Sequence, residues 1–384
     1  MAGSRRSPVI LMKAKTQDLT SESLPKLKVD LAAIDWTQFY GKLGARRLPA
    51  ILILLTVSGA CHEVAAGVLA AGSALSVGFA PAHPVGNSRT LAMVAAAGTM
   101  TICGFAGIVI GNFYPLSLAF TALSGFVFAY LTLENEDIGW IGMQGVIAFL
   151  IAAYYPGSWA LAGERAGCIL TGGLAQALCL SLIWHWEGLG NLGAEPTSAS
   201  TEAAALTSVQ RPELLRLLKI DRFSWLKLRF ILRVAVTLSI AVELDHLLKL
   251  KNGYWLPMTT LVVLKPDFNH TYSGGIQRVA GTLAGVILAS LITKILYPNQ
   301  LVLIGLVAAF CWATFSIQKA NAVMFSASLT VFVVLLIALT GLPESDVVWH
   351  RFTNTFLGCT LALTSYFAGV FTVRRALAAS MQLR

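Results

Sequence analysis

The composition of this 384-residue chain excludes an ordinary soluble domain. Hydrophobic residues make up 56% of the sequence and charged residues only 12%, and the mean hydropathy is +0.70. A typical soluble protein carries about twice that charged fraction. The sequence therefore predicts an all-α polytopic membrane protein. Its net charge of +9 indicates loops that face anionic headgroups, so membrane lipids are expected partners and nucleic acid is not.

Twelve apolar blocks follow one another along the chain. In the first half they lie at about 48–62, 64–80, 90–112, 116–132, 138–154 and 164–184, and in the second at about 230–247, 253–265, 277–297, 300–316, 321–341 and 350–372. Several are long enough for a membrane span of about 20 residues. Residues 48–80 are too many for one span and short for two, which predicts two short or kinked helices.

Basic residues mark one side of the membrane. They cluster before the first block, before the seventh block and after the last, as Lys42, Arg46, Arg47, Arg211, Arg216, Lys219, Arg222, Lys227, Arg229, Arg374 and Arg375. The positive-inside rule assigns all three clusters to the cytoplasm. Each half then crosses the membrane an even number of times, which predicts about twelve transmembrane helices and cytoplasmic N- and C-termini.

The two halves are also similar to each other in sequence. Gly98-Thr99 aligns with Gly281-Thr282, and both of these blocks end in Tyr-Pro. The other aligned pairs are Pro81 with Pro266, His62 with His246, Arg165 with Arg351 and Gly172 with Gly358. Repeats with an even number of spans share one orientation. The expected architecture is two parallel six-helix repeats with a pseudo-two-fold axis along the membrane normal.

The predicted organisation has five parts. They are a cytoplasmic N-terminal extension at 1–46, a degenerate six-helix membrane repeat at 47–186, a cytoplasmic linker with an amphipathic segment at 187–228, a second six-helix repeat at 229–373 and a cytoplasmic tail at 374–384. The amphipathic segment at 211–230 fits either a helix in the membrane interface or a plain lead-in to the next span.

No catalytic or metal-binding pattern is present in the sequence. Gly188, Gly190 and Gly193 spell G-x-G-x-x-G, but they lack the strand and helix of a dinucleotide-binding unit. The six cysteines form no C-x-x-C pair, which argues against a zinc site or a disulfide framework. We expect no cofactor, no metal and no enzyme activity.

The pattern R-x-x-x-T-x-x-G occurs twice in the second half. It consists of Arg278, Thr282 and Gly285, and of Arg351, Thr355 and Gly358, with Gly281 beside the first threonine. Spacings of four and seven place each set on one helix face. Small residues there let helices approach closely. The arginines either anchor the helix at the interface or face an ion path.

Residues 252–289, "NGYWLPMTTLVVLKPDF…GGIQRVAGTLAGVILA", resemble the signature of the fusaric-acid-resistance-like, or aromatic acid exporter, superfamily. That signature pairs a G-Y-W-x-P-x-T strip with an R-x-x-G-T-x-x-G helix, and the surrounding module covers about 226–372. The first half resembles a decayed copy, which keeps Pro81 and Gly98-Thr99 but has Ala95 where the arginine would fall. Plant aluminium-activated malate transporters look like distant relatives.

The resemblance implies export of small organic anions, in particular aromatic carboxylic acids, across the bacterial inner membrane. An organic-anion channel and a non-transporting scaffold in envelope assembly are the alternatives. The expected partners are the small organic anion, lipids and either a homo-oligomer or a periplasmic adaptor.

The expected substrate pathway is lined by cations and amides. Its residues are Arg278, Arg351, Arg165, Lys265, Gln277 and Asn354. Arg278 and Lys265 would lie at the cytoplasmic mouth, with residues 265–275 as a turn and Arg278 opening the next helix. Asp267 either gates that mouth with Lys265 or bonds turn backbone.

Acidic residues and histidines gather in the predicted outer turns of the two halves. They are His62, Glu63, Asp245 and His246, and they form either a proton-responsive cluster or solvated loop charge. Trp140, Trp159, Trp255 and Trp349 lie near span ends, which predicts that they anchor the protein at the membrane interface.

Overall fold

The computed structural model describes residues 34–188, 225–296, 299–341 and 344–382. Within these ranges the regular structure is helical and contains no named strand. Most of the predicted N-terminal extension (1–33) and of the linker with its amphipathic segment (189–224) lies outside the described residues, as does the end of the predicted tail (383–384).

The first half of the described chain contains a short helix and six longer ones. They are α1 (Gly41–Arg46), α2 (Leu48–Ala60), α3 (Val64–Phe79), α4 (Arg89–Ile110), α5 (Tyr114–Glu134), α6 (Glu136–Tyr154) and α7 (Trp159–Trp186). The prediction of two short helices between residues 48 and 80 is confirmed. A sharp turn separates α2 from α3, in which His62 adopts a left-handed backbone with φ of 60°.

The second half contains six helices of very different length. They are α8 (Trp225–Leu248), α9 (Trp255–Val263), α10 (Phe268–Leu296), α11 (Gln300–Ile317), α12 (Ala322–Ala338) and α13 (Glu344–Gln382). Helix α9 has only nine residues. It ends shortly before Pro266, since the residue before a proline is disfavoured in the helical conformation.

Seven described helices are long and apolar enough to cross a membrane, namely α4, α5, α6, α7, α10, α11 and α3 with its extension to Ala82. The segment Trp36–Arg46 and helix α2 make an eighth if they count as one span bent by 44°. These helices agree with the predicted polytopic α-helical class. The remaining described helices are short, as α9 and α12 are, or carry more charged and polar residues, as α8 and α13 do.

The helices of the two halves have the same order of neighbours. In the first half α4 packs against α6 and α7, α3 against α7, and α2 against α3. In the second half α10 packs against α12 and α13, α9 against α13, and α8 against α9. Across the halves, α8 packs against α5, and α1 and α2 pack against α11.

The junction between the halves is apolar on the side of α2 and α11. Ile51 and Phe79 from the first half share one buried cluster with Val307, Phe315 and Phe332 from the second. Between membrane helices such contacts are stabilised by close van der Waals packing of the side chains. The described halves are therefore held against each other by packed side chains.

The turn before α10 is shorter than the sequence predicts. Helix α10 begins at Phe268, and the turn is confined to residues 264–267. The Asp267 carboxylate accepts a hydrogen bond from the His270 amide at 3.3 Å, and the Asp267 carbonyl accepts one from the Thr271 amide at 3.2 Å. The prediction that Arg278 opens the helix is wrong. Arg278 lies about three turns inside α10.

The physical reason is that small polar residues are good packing residues in a membrane helix. Thr271 and Gly275 are fully buried, and Gly275 leaves room for the side chains of Val263 and Cys359. In a soluble protein a segment rich in Asn, Ser and Gly indicates a loop. In a membrane protein the same small residues allow two helices to approach each other closely.

Candidate anion-binding site

A buried arginine defines the centre of the candidate site. Arg351 of α13 is only 3% exposed, and its guanidinium lies 3.9 Å from the centroid of the Trp255 ring. Its Nη2 donates to the Thr330 hydroxyl of α12 at 3.4 Å. Its Nε and Nη1 have no acceptor in the described part of the chain. A cation over a tryptophan face is favourable, but two buried N–H donors stay unused.

Helix α9 contributes two further buried donors. Trp255 and Thr259 lie four residues apart and hence on one face of the helix. The Trp255 indole N–H and the Thr259 hydroxyl are buried, and neither has a hydrogen-bond partner among the described residues. Gly358 brings α13 close to this face, because a methyl group there would lie 2.7 Å from the Leu256 carbonyl oxygen and 2.9 Å from the Thr259 Cβ.

Asn354 lies one turn after Arg351 on the same helix and is 1% exposed. Its Nδ2 donates to the Lys251 and Asn252 carbonyls, both at 3.1 Å. Its Oδ1 is buried and has no donor within the described chain. Asn354 therefore connects α13 to the loop before α9 by hydrogen bonds, and its Oδ1 acceptor stays unused.

Arg278 brings a second positive charge to the same helices. Its Nε is buried and has no acceptor in the described residues. Arg278 lies on α10, which packs against α13, close enough for its positive charge to disfavour that of Arg351, and no described acidic side chain offsets the two arginines there. Buried charges are costly unless they are paired. The arrangement is therefore suited to a bound anion.

Two more cations, Arg233 and Lys265, lie at the α9–α10 turn. Arg233 of α8 donates to the Lys265 carbonyl at 2.9 Å and lies 4.8 Å from the centroid of the Tyr366 ring. Desolvation lowers the pKa of the Lys265 ammonium, and the Glu136 carboxylate partly offsets that shift. Arg233 and Lys265 thus lie in contact at this turn, whereas Arg278 and Arg351 lie on α10 and α13.

No hydrogen bond or ion pair among the described residues joins the other two pathway residues directly to this cluster. Arg165 of α7 is half-buried and donates to the Tyr155 carbonyl at 3.1 Å. The Tyr155 ring lies 5.9 Å from the Tyr254 ring, which in turn lies 4.9 Å from Trp255. Gln277 is half-buried, and its amide makes no hydrogen bond to a described residue.

The structure does not bring the two pairs of outer-turn residues into contact. His62 and Glu63 are exposed in the α2–α3 turn, and no hydrogen bond or ion pair among the described residues joins them to Asp245 or His246. The His246 ring instead stacks on Tyr114 at 4.0 Å.

The predicted packing residues lie against α12 and α9. A methyl group at Gly281 would meet the Ser326 Cβ and the Val323 carbonyl at 2.5 Å, and one at Gly285 would meet the Ala327 carbonyl at 2.5 Å. Thr282 and Thr355 are buried. These glycines allow α10 and α12 to approach backbone to backbone.

The tryptophans divide into two groups. Trp159 and Trp349 are 71% and 62% exposed, as membrane-interface residues are expected to be. The prediction that Trp255 anchors at the interface is wrong, because it is buried beneath Arg351. Trp140 stacks on the His83 ring at a centroid distance of 4.7 Å. Tryptophan near a span end does not by itself distinguish these environments.

The acidic turn at residues 133–137 makes ionic contacts that sequence reasoning missed. Glu134 pairs with Lys227 at 2.8 Å, and Asp137 pairs with His83 at 3.0 Å. The Glu134–Lys227 pair therefore links the first half to the second. No signal in the sequence joins these residues, because each partner lies in a distant segment.

The fold and the site define a multi-pass helical membrane protein with a buried cationic cluster. No group of three described His, Cys, Asp or Glu side chains could hold a metal ion. Residues 237–365 match the model of the fusaric acid resistance protein-like family. This third of the chain contains Arg278, Arg351, Asn354, Trp255 and Thr259.

Several bacterial proteins are similar to part of the chain. An uncharacterized protein of Synechocystis sp. is 31% identical over 144 residues, which cover 37% of this chain and 19% of that protein. The inner membrane protein YccS of Escherichia coli is 28% identical over 136 residues, covering 35% and 18%. An uncharacterized protein of Neisseria gonorrhoeae is 28% identical over 134 residues, covering 35% and 32%.

The chain thus spans less than a third of the length of these relatives. No solved structure matches it. The expected similarity to plant malate transporters stays a prediction.

Proposed function

We propose that this chain is a transporter of the fusaric-acid-resistance-like family that exports small organic anions across the bacterial inner membrane. The single observation that carries the proposal is the state of Arg351, which is buried with two unused donors and no described acidic partner. Aromatic carboxylic acids are the substrate class that the sequence resemblance implies.

The chemistry of the cluster suits a carboxylate. The unused Nε and Nη1 of Arg351 can each donate a hydrogen bond to a carboxylate oxygen, and hydrogen bonds between charged groups are about twice as strong as neutral ones. The Trp255 N–H and the Thr259 hydroxyl can replace further water molecules lost by the anion. An arginine at the centre of a membrane helix costs about 2.5–3.5 kcal/mol, which a bound anion would offset.

The electrical gradient favours export without a coupled ion. Moving one negative charge out of a cell that is negative inside releases about 2.3 kcal/mol per 100 mV. Proton coupling is then not required, and a channel-like mechanism remains compatible with the same cluster. Lys265 and Arg233 would attract the anion to the mouth, and Arg278 and Arg351 would stabilise it within the membrane.

We also propose that α2–α7 and α8–α13 are two parallel six-helix repeats, related by a pseudo-two-fold axis along the membrane normal. This architecture gives about twelve membrane helices, the division of the chain at 47–186 and 229–373, and cytoplasmic termini. The shared order of helix neighbours supports it. So does the approach of Gly172 to Ala70 and of Gly358 to Leu256. A homo-oligomer or periplasmic adaptor stays a further proposal.

The test is efflux from proteoliposomes loaded with benzoate, phenylacetate or succinate. Wild-type protein should release at least one of these acids, Arg351→Gln should release none, and the matched variant Arg165→Gln should stay within about threefold of wild type, because Arg165 is already bonded to a carbonyl. Equal protein insertion in all vesicles is the control. A non-transporting scaffold gives no flux for any acid, and equal flux from Arg351→Gln contradicts the assigned site.

A further inference from the structure

We propose that Asn354 determines specificity, because its Oδ1 accepts a hydrogen bond from the substrate. The site would then prefer a carboxylate that carries a hydroxyl on the neighbouring carbon to the same carboxylate without it. This inference rests on the proposed function, since it deepens the chemistry of the same cluster.

The orientation of the Asn354 amide follows from its neighbours. Amide nitrogen and oxygen atoms are assigned from the hydrogen-bond network. The side chain reaches two backbone carbonyls, of Lys251 and Asn252, and both can only accept. The group that faces them must be the NH₂ donor. The Oδ1 is consequently fixed on the other side, buried and without a donor in the described chain.

This oxygen is an acceptor among groups that donate. Arginine and the tryptophan indole offer only donors, and the Arg351 and Trp255 N–H groups are unused. A plain carboxylate has only acceptor atoms, so it would satisfy these donors and leave the Asn354 oxygen unpaired. A buried polar atom without a partner is unfavourable. A ligand that combines a carboxylate with a hydroxyl satisfies both kinds of group.

The spacing of the residues fits a compact ligand. Arg351 and Asn354 are three residues apart on α13, which places their Cβ atoms about 5–6 Å apart on one helix face. Both residues contact the segment 252–255, which leads into α9. Asn354 contacts the Asn252 carbonyl, and Arg351 contacts the Trp255 ring. We therefore expect a hydroxyl next to the carboxylate to join the two groups.

The experiment compares mandelate with phenylacetate, which differ by one hydroxyl on the carbon beside the carboxylate. Efflux of each acid from proteoliposomes should favour mandelate in the wild type by about tenfold, the scale of one buried hydrogen bond. The Asn354→Leu variant should lose the preference and still export phenylacetate. Thr353→Val is the matched control, because Thr353 is half-buried and its hydroxyl bonds only carbonyls of its own helix.

The outcomes separate the two proposals. Flux of both acids at equal rates in the wild type overturns the role of Asn354 and leaves transport standing, and this comparison does not depend on the folding of any variant. An equal loss of both acids in Asn354→Leu indicates a structural role and overturns the inference. Absence of flux for both acids in the wild type overturns this inference, and absence of flux for benzoate and succinate as well overturns the proposed function.

Discussion

The contact between α3 and α7 and the contact between α9 and α13 share one backbone arrangement. A glycine of the long helix lies against a carbonyl of the short one in both, Gly172 against Ala70 and Gly358 against Leu256. The arrangement explains why glycine is required, since a Cβ at either position would meet backbone atoms.

The side chains around the two contacts differ. In the first half the Ser73 hydroxyl donates to the Ile169 carbonyl at 2.7 Å, and Arg165 donates to the Tyr155 carbonyl. In the second half Trp255, Thr259 and Arg351 keep donors that no described residue uses. The Ser73 and Arg165 donors of the first half thus have carbonyl acceptors, whereas the donors of the second half do not, although the buried Gln176 Oε1 of the first half also lacks a described partner. The proposed ligand would use the donors of the second half.

After Arg351, the largest effect is expected at Arg278, where one substitution makes the second half resemble the first. The first half has Ala95 at the aligned position, so Arg278→Ala removes the charge that distinguishes them. Efflux of a carboxylate should fall about thirtyfold or more, because truncation of one buried member of a charged contact costs about 2–5 kcal/mol.

Lys294→Ala is the matched control for this change. Lys294 is exposed at the end of the same helix and should leave efflux unchanged. Equal efflux from the Arg278 and Lys294 variants would remove Arg278 from the pathway.

Substitution of the aligned glycines Gly98 and Gly281 is expected to affect the stability of the protein to different degrees, rather than its transport activity. A methyl group at Gly281 would meet the Ser326 Cβ at 2.5 Å, whereas one at Gly98 has no atom within 4 Å. Gly281→Ala should lower the free energy of unfolding by about 1–3 kcal/mol through overpacking. Gly98→Ala should be neutral or slightly stabilising. Thermal unfolding of the purified variants measures both, and similar midpoints would contradict the assigned helix contact.

A smaller effect is expected at Trp255. Trp255→Phe keeps an aromatic ring near Arg351 but removes the buried N–H donor. Affinity for a carboxylate should fall about threefold to tenfold, as expected for one hydrogen bond. Trp159→Phe, at an exposed position, should change nothing. A larger loss from the Trp159 variant than from the Trp255 variant would contradict burial of the indole donor in the site.

The smallest effect is expected at the ion pair of Glu134 and Lys227, which joins α5 to α8. Both side chains are partly exposed, and such pairs contribute about 0–1 kcal/mol. Glu134→Gln should shift the unfolding midpoint only slightly, and the shift should vanish at high salt because salt screens exposed charges. A large shift that persists in high salt would show that the pair is more than a surface contact.

Much of the fold and the main cations of the site could be predicted from the sequence. Apolar blocks and loop charge indicated a helical membrane protein, and the spacing of R-x-x-x-T-x-x-G singled out Arg278 and Arg351. Local pattern was sufficient there, because helix faces and membrane depth depend on residues close in sequence.

The composition of the cluster could not be predicted in the same way. Trp255, Thr259 and Thr330 come from α9 and α12, and they meet Arg351 only through the packing of separate helices. The start of α10 was missed because Gly275 and Thr271 are packing residues rather than a loop. The sequence does not distinguish a buried tryptophan from an exposed one near the end of a span, because the difference depends on contacts between helices.

The most direct test is calorimetric titration of phenylacetate into purified protein in detergent. Wild-type protein and Arg165→Gln should bind the acid with similar affinity, and Arg351→Gln should lose binding while it keeps the wild-type unfolding midpoint. Equal binding by all three proteins, or binding by none of them, would contradict the assignment of the buried arginine cluster as the anion site.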